Sequence, residues 1–181
     1  MAAGPLYVFT TDELTTLLGL DPKKDKWRVV RFAESREYKI VPSIKLASGS
    51  GSRRLYDLEN VCEFALALQL LQNGLQSQVI GNVIQRLRKK GKLRTKLYLD
   101  DLDLQDLTLV IERDPDPGSP LHKNSMVTLF DGDDTLVDFI AETFSNAVDA
   151  RDLVLVRIGH TFVDLKFRLA QLRPEWAKEN S

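Results

Sequence analysis

The segment from Gly51 to Leu87, GSRRLYDLENVCEFALALQLLQNGLQSQVIGNVIQRL, limits the fold more than any other part of the chain. Leu58 to Leu71 is apolar at helical spacing, and Asn73-Gly74 ends it with residues that accept the backbone turn after a helix. Val79, Ile80, Val83, Ile84 and Leu87 then recur at spacings of one, three and four. This predicts two short helices joined by a tight glycine turn, with a flexible basic loop in front of them.

Upstream, Thr10-Thr11-Asp12-Glu13 reads as a capping box, with Thr10 capping a helix and Glu13 reaching back to it. That helix carries Leu14, Leu17 and Leu18 on one face and stops at Gly19. Asp21-Pro22 starts a second helix, Pro22 to about Ala33, with Asp as cap and Pro at the first helical position. Only Gly19 and Leu20 separate the two, which is helix-turn-helix spacing. On the second helix, Val29, Val30 and Ala33 cluster on one side, and Lys24, Arg28 and Arg31 on the other. Such a helix can dock its apolar side on its neighbour and point three cations into a groove of DNA. Glu37 to Leu46 is short, β-prone and broken by Pro42, which suits an edge strand or the outer arm of a hairpin. Ala47 to Ser52 is a flexible tip, and Arg53-Arg54-Leu55-Tyr56 returns from it. Together they make a wing with Lys45, Arg53 and Arg54 placed to touch phosphates.

The run Gly51-Ser52-Arg53-Arg54-Leu55-Tyr56, followed by Leu70 through Gly74-Leu75 to Ile80, resembles the MerR family of bacterial transcription regulators. That family's DNA-binding domain has a wing ending in G-x-R-R-x-Y or close variants, and a helix running into L-x-x-x-G-[FL]-x-x-x-x-I. The resemblance covers roughly the first half of the chain. It implies a winged helix-turn-helix domain on double-stranded DNA, with Lys24, Arg28 and Arg31 at base edges and Lys45, Arg53, Arg54 and Tyr56 at the wing. Members usually continue into a long helix that pairs with a partner's copy. No heptad pattern follows Leu93, so a homodimer is expected through the second half instead.

Charge supports a phosphate-rich partner. Residues 1–96 hold 17 Lys/Arg against 9 Asp/Glu, whereas residues 97–181 hold 8 against 17. Neutralising phosphates with such a basic half releases counterions. The whole chain of 181 residues, with 43% hydrophobic and 28% charged residues, reads as globular, and no apolar run approaches the ~20 residues of a membrane span. MAAGPLYVF lacks the basic and apolar regions of a signal peptide, and the single cysteine, Cys62, excludes an internal disulfide. A cytoplasmic protein is expected, with Cys62 as a core thiol.

Arg88 to Lys96, RKKGKLRTK, reads as a domain junction. The fold class is therefore α+β: a winged-helix domain over residues 1–92, an acidic α+β domain over 97–172, and a tail over 173–181. In the second domain the expected order is β-β-α-β-β. Strands fall at Leu107 to Glu112 and Met126 to Phe130, with a helix from Thr135 to about Val148. Leu153 to Ile158 and Thr161 to Leu169 then form a hairpin through Gly159-His160. This domain would mediate dimerisation or sense a small-molecule effector.

One stretch of it invites an enzyme reading. Leu129 to Asp138, LFDGDDTLVD, resembles the first motif of haloacid-dehalogenase-type phosphatases, in which Asp131 would attack a phosphoryl group and Asp133 act as acid/base. Asp134 occupies the glycine position, and only 43 residues follow Asp138, too few for that family's sheet. An acidic turn that caps the following helix fits better. No other catalytic constellation, Gly-rich phosphate loop or paired Cys/His spacing is present, and no cofactor is expected. The reading is a sequence-specific DNA-binding regulator. A phosphatase and a protein-interaction module on a winged-helix scaffold are the alternatives.

Overall fold

The computed structural model describes residues 7–38, 40, 42, 44–45, 54–90, 93, 97, 104–113, 126–130, 136–141 and 152–179. At its centre lies α3 (Leu58–Gln72), which starts where the Asp57 carboxylate accepts the Asn60 N–H at 2.9 Å. Such a cap satisfies one of the amides that a helix leaves orphaned at its first turn. Asn73 and Gly74, the latter at φ +79°, end the helix as expected. The helix is buried on nearly every side: Val61, Cys62, Phe64, Leu66, Ala67 and Leu70 are all inaccessible to solvent. After the turn, α4 (Ser77–Lys90) buries Val79, Ile80, Val83, Ile84 and Leu87.

One charge goes inside with them. Glu63 is fully buried, receives the Asn60 amide at 3.1 Å and pairs in two places with the Arg88 guanidinium, Nη2 at 2.8 Å. The Glu63 carboxylate holds the Arg88 pKa above its ordinary value, against the desolvation that would lower it. Arg88, the first residue of the expected junction, is thus part of α4 and pinned to the core. A buried carboxylate left without such a partner costs about 3–5 kcal/mol.

The N-terminal region builds around α3. Thr10 caps α1 (Thr11–Leu17) in the expected box, its N–H donating to Glu13 at 2.8 Å while its hydroxyl accepts the Glu13 N–H at 3.3 Å. The second helix differs from expectation. It is α2 (Lys26–Glu34), and residues 22–25 form a turn ahead of it. Asp21 does cap this turn, its carboxylate accepting the Lys23 N–H at 2.9 Å and its carbonyl the Asp25 N–H at 2.7 Å, but the regular helix begins only after it. The buried face is also rotated. Val29 and Phe32 are buried, while Val30 lies on the outward side. Phe32 meets Tyr38 and Phe64 with ring centroids 4.3 and 6.2 Å away. An aromatic ring at that spacing outweighs a valine in choosing which stripe turns inward.

Three short antiparallel strands complete this part: β1 (Val8–Phe9), β2 (Ile44–Lys45) and β3 (Arg54–Asp57), in the order β1-β3-β2. Phe9 lies opposite Tyr56, and Lys45 opposite Arg54. The segments on either side of the expected tip thus pair, through Ile44–Lys45 and Leu55–Arg54. Residues 46–53, which hold the expected tip and Arg53, lie outside the described residues.

The second half contains β4 (Thr108–Arg113), β5 (Met126–Phe130) and β6 (Asp152–Arg157), antiparallel in the order β5-β4-β6, with residues 136–141 helical. The chain is α+β, but the last expected strand is a helix. Residues 161–169 belong to α5 (Gly159–Leu172), followed by α6 (Pro174–Glu179) in the segment expected as a tail. Phe162, Leu165, Leu169 and Trp176 are buried. A helix forms because α5 lies against α1 and α3, and its inward stripe at i, i+3 and i+7 fills the surface they offer. Gly159 is needed at its start, since a Cβ there would lie 2.0 Å from the Leu104 carbonyl oxygen. The buried apolar cluster runs from Phe9 to Trp176, across the boundary expected between residues 92 and 97. Asp131 and Asp133 lie outside the described residues.

Candidate nucleic-acid interface

Burying Val29 and Phe32 fixes what α2 shows to solvent. At 100° per residue the opposite side carries Trp27, Val30, Arg31 and Glu34. These residues, with Lys26 and Ser35, line an open concavity of about 620 Å³. Trp27 is 55% exposed, unusual for the largest apolar side chain, and Arg31 is exposed beside it. Lys26 sits at one flank, paired with Asp12 of α1 at 2.7 Å. At the other flank the Arg28 guanidinium is 5.6 Å from the Trp27 ring centroid and 3.5 Å from Asp25.

The expected stripe of Lys24, Arg28 and Arg31 is therefore divided. Arg31 lines the outward concavity, whereas Arg28, at its flank, also lines a second cavity beside α1. Lys24 belongs to the preceding turn, highly exposed, with Asp21 at 3.9 Å. Trp27 and Lys26 had no place in the sequence-based set. The signal for Trp27 was available: once Phe32 is assigned inward, residue 27 must point out.

The wing residues are placed as follows. Lys45 lies in β2, opposite Arg54 on β3. Arg54 reaches back to the end of α2, its Nη2 2.8 Å from the Glu34 carboxylate, which raises the guanidinium above its ordinary pKa. That contact ties β3 to α2 and pairs Glu34, next to Arg31, with a cation. Tyr56 is fully buried, with its ring edge-on to Phe64 at 5.4 Å. It is a core residue that supports β3, and its ring presents no surface to a phosphate.

The C-terminal helices hold α1 and the turn after it from behind. Arg168 of α5 lies over the Gly19 turn and donates to the Leu17 carbonyl at 3.3 Å. A cation there suits the negative end of α1. Arg173 pairs with Glu13 and stacks on Phe9 with its guanidinium 5.5 Å from the ring centroid. Burial alone would raise the Glu13 pKa, but hydrogen bonds from Thr10 and Arg173 outweigh it and hold the carboxyl below its ordinary value. Among the described residues, no group of three His, Cys, Asp or Glu side chains is placed to hold a metal ion, and no helix is long and apolar enough to cross a membrane.

No protein-family profile matches the chain. A 52-residue stretch of it is similar, at 36% identity, to uncharacterized HTH-type transcriptional regulators of Mycobacterium bovis and of two strains of Mycobacterium tuberculosis. The match covers 29% of this chain and 23% of each of those proteins, so it spans about a quarter of the length of these curated relatives.

Proposed function

We propose that this chain is a sequence-specific DNA-binding transcriptional regulator with a MerR-like winged helix-turn-helix, and that α2 enters the major groove. The observation that carries the reading is the outward face of α2. It exposes an arginine and a tryptophan side by side, with the helix braced behind by α1 and by the contact of Phe32 with Phe64 of α3. Similarity to the mycobacterial HTH-type regulators supports the same class. In this reading Arg31 offers paired donors to guanine O6 and N7, and Trp27 supplies apolar contact to a thymine methyl. Lys24, Lys26 and Arg28 flank the groove, and Lys45, Arg53 and Arg54 lie toward phosphates that position the domain without reading it. The protein acts in the cytoplasm as a homodimer on paired half-sites and performs no catalytic step.

The test uses a site selected from a randomised duplex pool, alongside random DNA, at several salt concentrations. Arg31→Ala is expected to cost ~1–3 kcal/mol on the selected site and much less on random DNA. Arg53→Ala should weaken both alike and lower the log K against log salt slope by about one unit. If the two variants behave the same, α2 is not the reader. If the full chain shows no salt-sensitive duplex binding, the regulator reading fails as a whole.

A further inference from the structure

A second, partly open cavity of about 210 Å³ is lined by α1, the turn after it, α2, α3 and α5. Leu17, Leu20, Leu68 and Leu165 contribute apolar lining. Arg28, Arg168 and Asp164 contribute charge, two cations against one anion. Both guanidiniums keep donors for a ligand, since each carries five N–H groups. Arg28 reaches Asp25 through Nε at 3.5 Å, and Arg168 meets the Leu17 carbonyl at 3.3 Å and Asp164 at 3.6 Å. Gln69 also lines the cavity, its Oε1 accepting the Thr161 hydroxyl at 2.9 Å.

We propose that this cavity binds a small monocarboxylic acid, its carboxylate held by Arg28 and Arg168 and its short hydrocarbon body against Leu20, Leu68 and Leu165. Arginine pairs with carboxylate through two parallel N–H···O bonds, which selects a planar anion over a neutral molecule. The apolar wall selects an acid with a hydrocarbon part over a bare inorganic anion. The volume is below the roughly 300–1,000 Å³ of drug-sized sites, so the body is short. Two of the cavity's walls belong to the helix-turn-helix, through Leu20 and Arg28. On the proposed DNA-binding reading, an acid that draws Arg28 inward removes a cation from the groove edge and weakens DNA binding, and DNA weakens acid binding by the same factor.

The experiment titrates the full chain, without DNA, with hexanoate and benzoate by calorimetry. Hexanamide, benzamide and inorganic phosphate are the comparison ligands. At least one acid is expected to bind saturably, and its amide and phosphate at least tenfold more weakly. Arg168→Gln should weaken the acid tenfold or more. Gln72→Trp, which fills the mouth from an exposed position, should do the same while leaving the circular dichroism spectrum unchanged. No saturable acid binding, equal binding of acid and amide, or full binding by both variants would overturn the site. Because no DNA is present, a chain that binds the acid but no duplex keeps this site and loses only the regulator reading.

Discussion

α3 and α5 are in contact, yet they are held in opposite ways. Ten of the fifteen residues of α3 are buried, and its polar members Asn60 and Glu63 are bonded inside the core. α5 buries one stripe, Gly159, Phe162, Leu165 and Leu169, and leaves Phe167 65% exposed. A helix enclosed on all sides is fixed from many directions at once. A one-sided helix depends on the surface it lies against, here α1 and α3. The difference predicts that α5 couples to the helix-turn-helix more than it stands alone, because Arg168 and Arg173 attach it to the Gly19 turn and to Glu13.

The largest effect should separate the two faces of α5. Phe162→Ala removes a fully buried ring and is expected to cost about 3–5 kcal/mol in urea unfolding. Phe167→Ser, on the exposed side, should stay within about 0.5 kcal/mol. In a strand, Val163, Leu165, Phe167 and Leu169 would share one face, so a large loss at Phe167 would restore the hairpin reading.

A smaller effect tests whether the two halves unfold together. Gly159→Ala places a Cβ 2.0 Å from the Leu104 carbonyl, and Gly81→Ala places one 1.8 Å from the Glu37 carbonyl. Each should lower stability by ~1–3 kcal/mol. Both are expected to shift one common transition, followed by Trp27 and Trp176 fluorescence together with circular dichroism. A Gly159→Ala variant that shows two transitions, with the earlier half unmoved, would mean that α5 is not part of the core around α3.

The smallest effect concerns acid. The folded Glu13 carboxyl has a lowered pKa, so its contribution is fully present above the ordinary carboxylate pKa and is lost as pH falls through the folded value. Arg173→Gln should therefore destabilise the protein near neutral pH and change it much less in strong acid. A loss equal at both pH values would show that Arg173 acts only through its stacking on Phe9.

The first half was largely legible because its signals are local. The Thr10–Glu13 box, the Gly74 stop and the five apolar positions of α4 are each set by residues a few places apart in the chain. The buried stripe of α2 was harder, because Val29 fits a stripe with Val30 and Ala33 as well as one with Phe32. The neighbouring ring of Phe64 decides between them. On α2 the sequence grouped Arg28 with Arg31 and did not mark Trp27 as exposed, whereas the two arginines line different cavities and Trp27 faces solvent. Tyr56 was assigned outward from its motif and is buried, since alternation along a strand as short as β3 does not tell which face meets the core.

The stretch 161–169 shows the boundary most clearly. Val163, Leu165, Phe167 and Leu169 alternate as in a strand, while Phe162, Leu165 and Leu169 repeat as in a helix. Both patterns are written in the same nine residues, and neither is stronger in isolation. By itself, the sequence determined the caps, the glycine stops, the two-helix hairpin and the basic first half, because each depends on neighbours in the chain or on composition. The tertiary structure alone decided that 161–169 is a helix, that Tyr56 faces inward and that Arg28 and Arg31 part company. Those outcomes depend on which surface each side chain meets, and the surfaces come from residues tens to more than a hundred positions away.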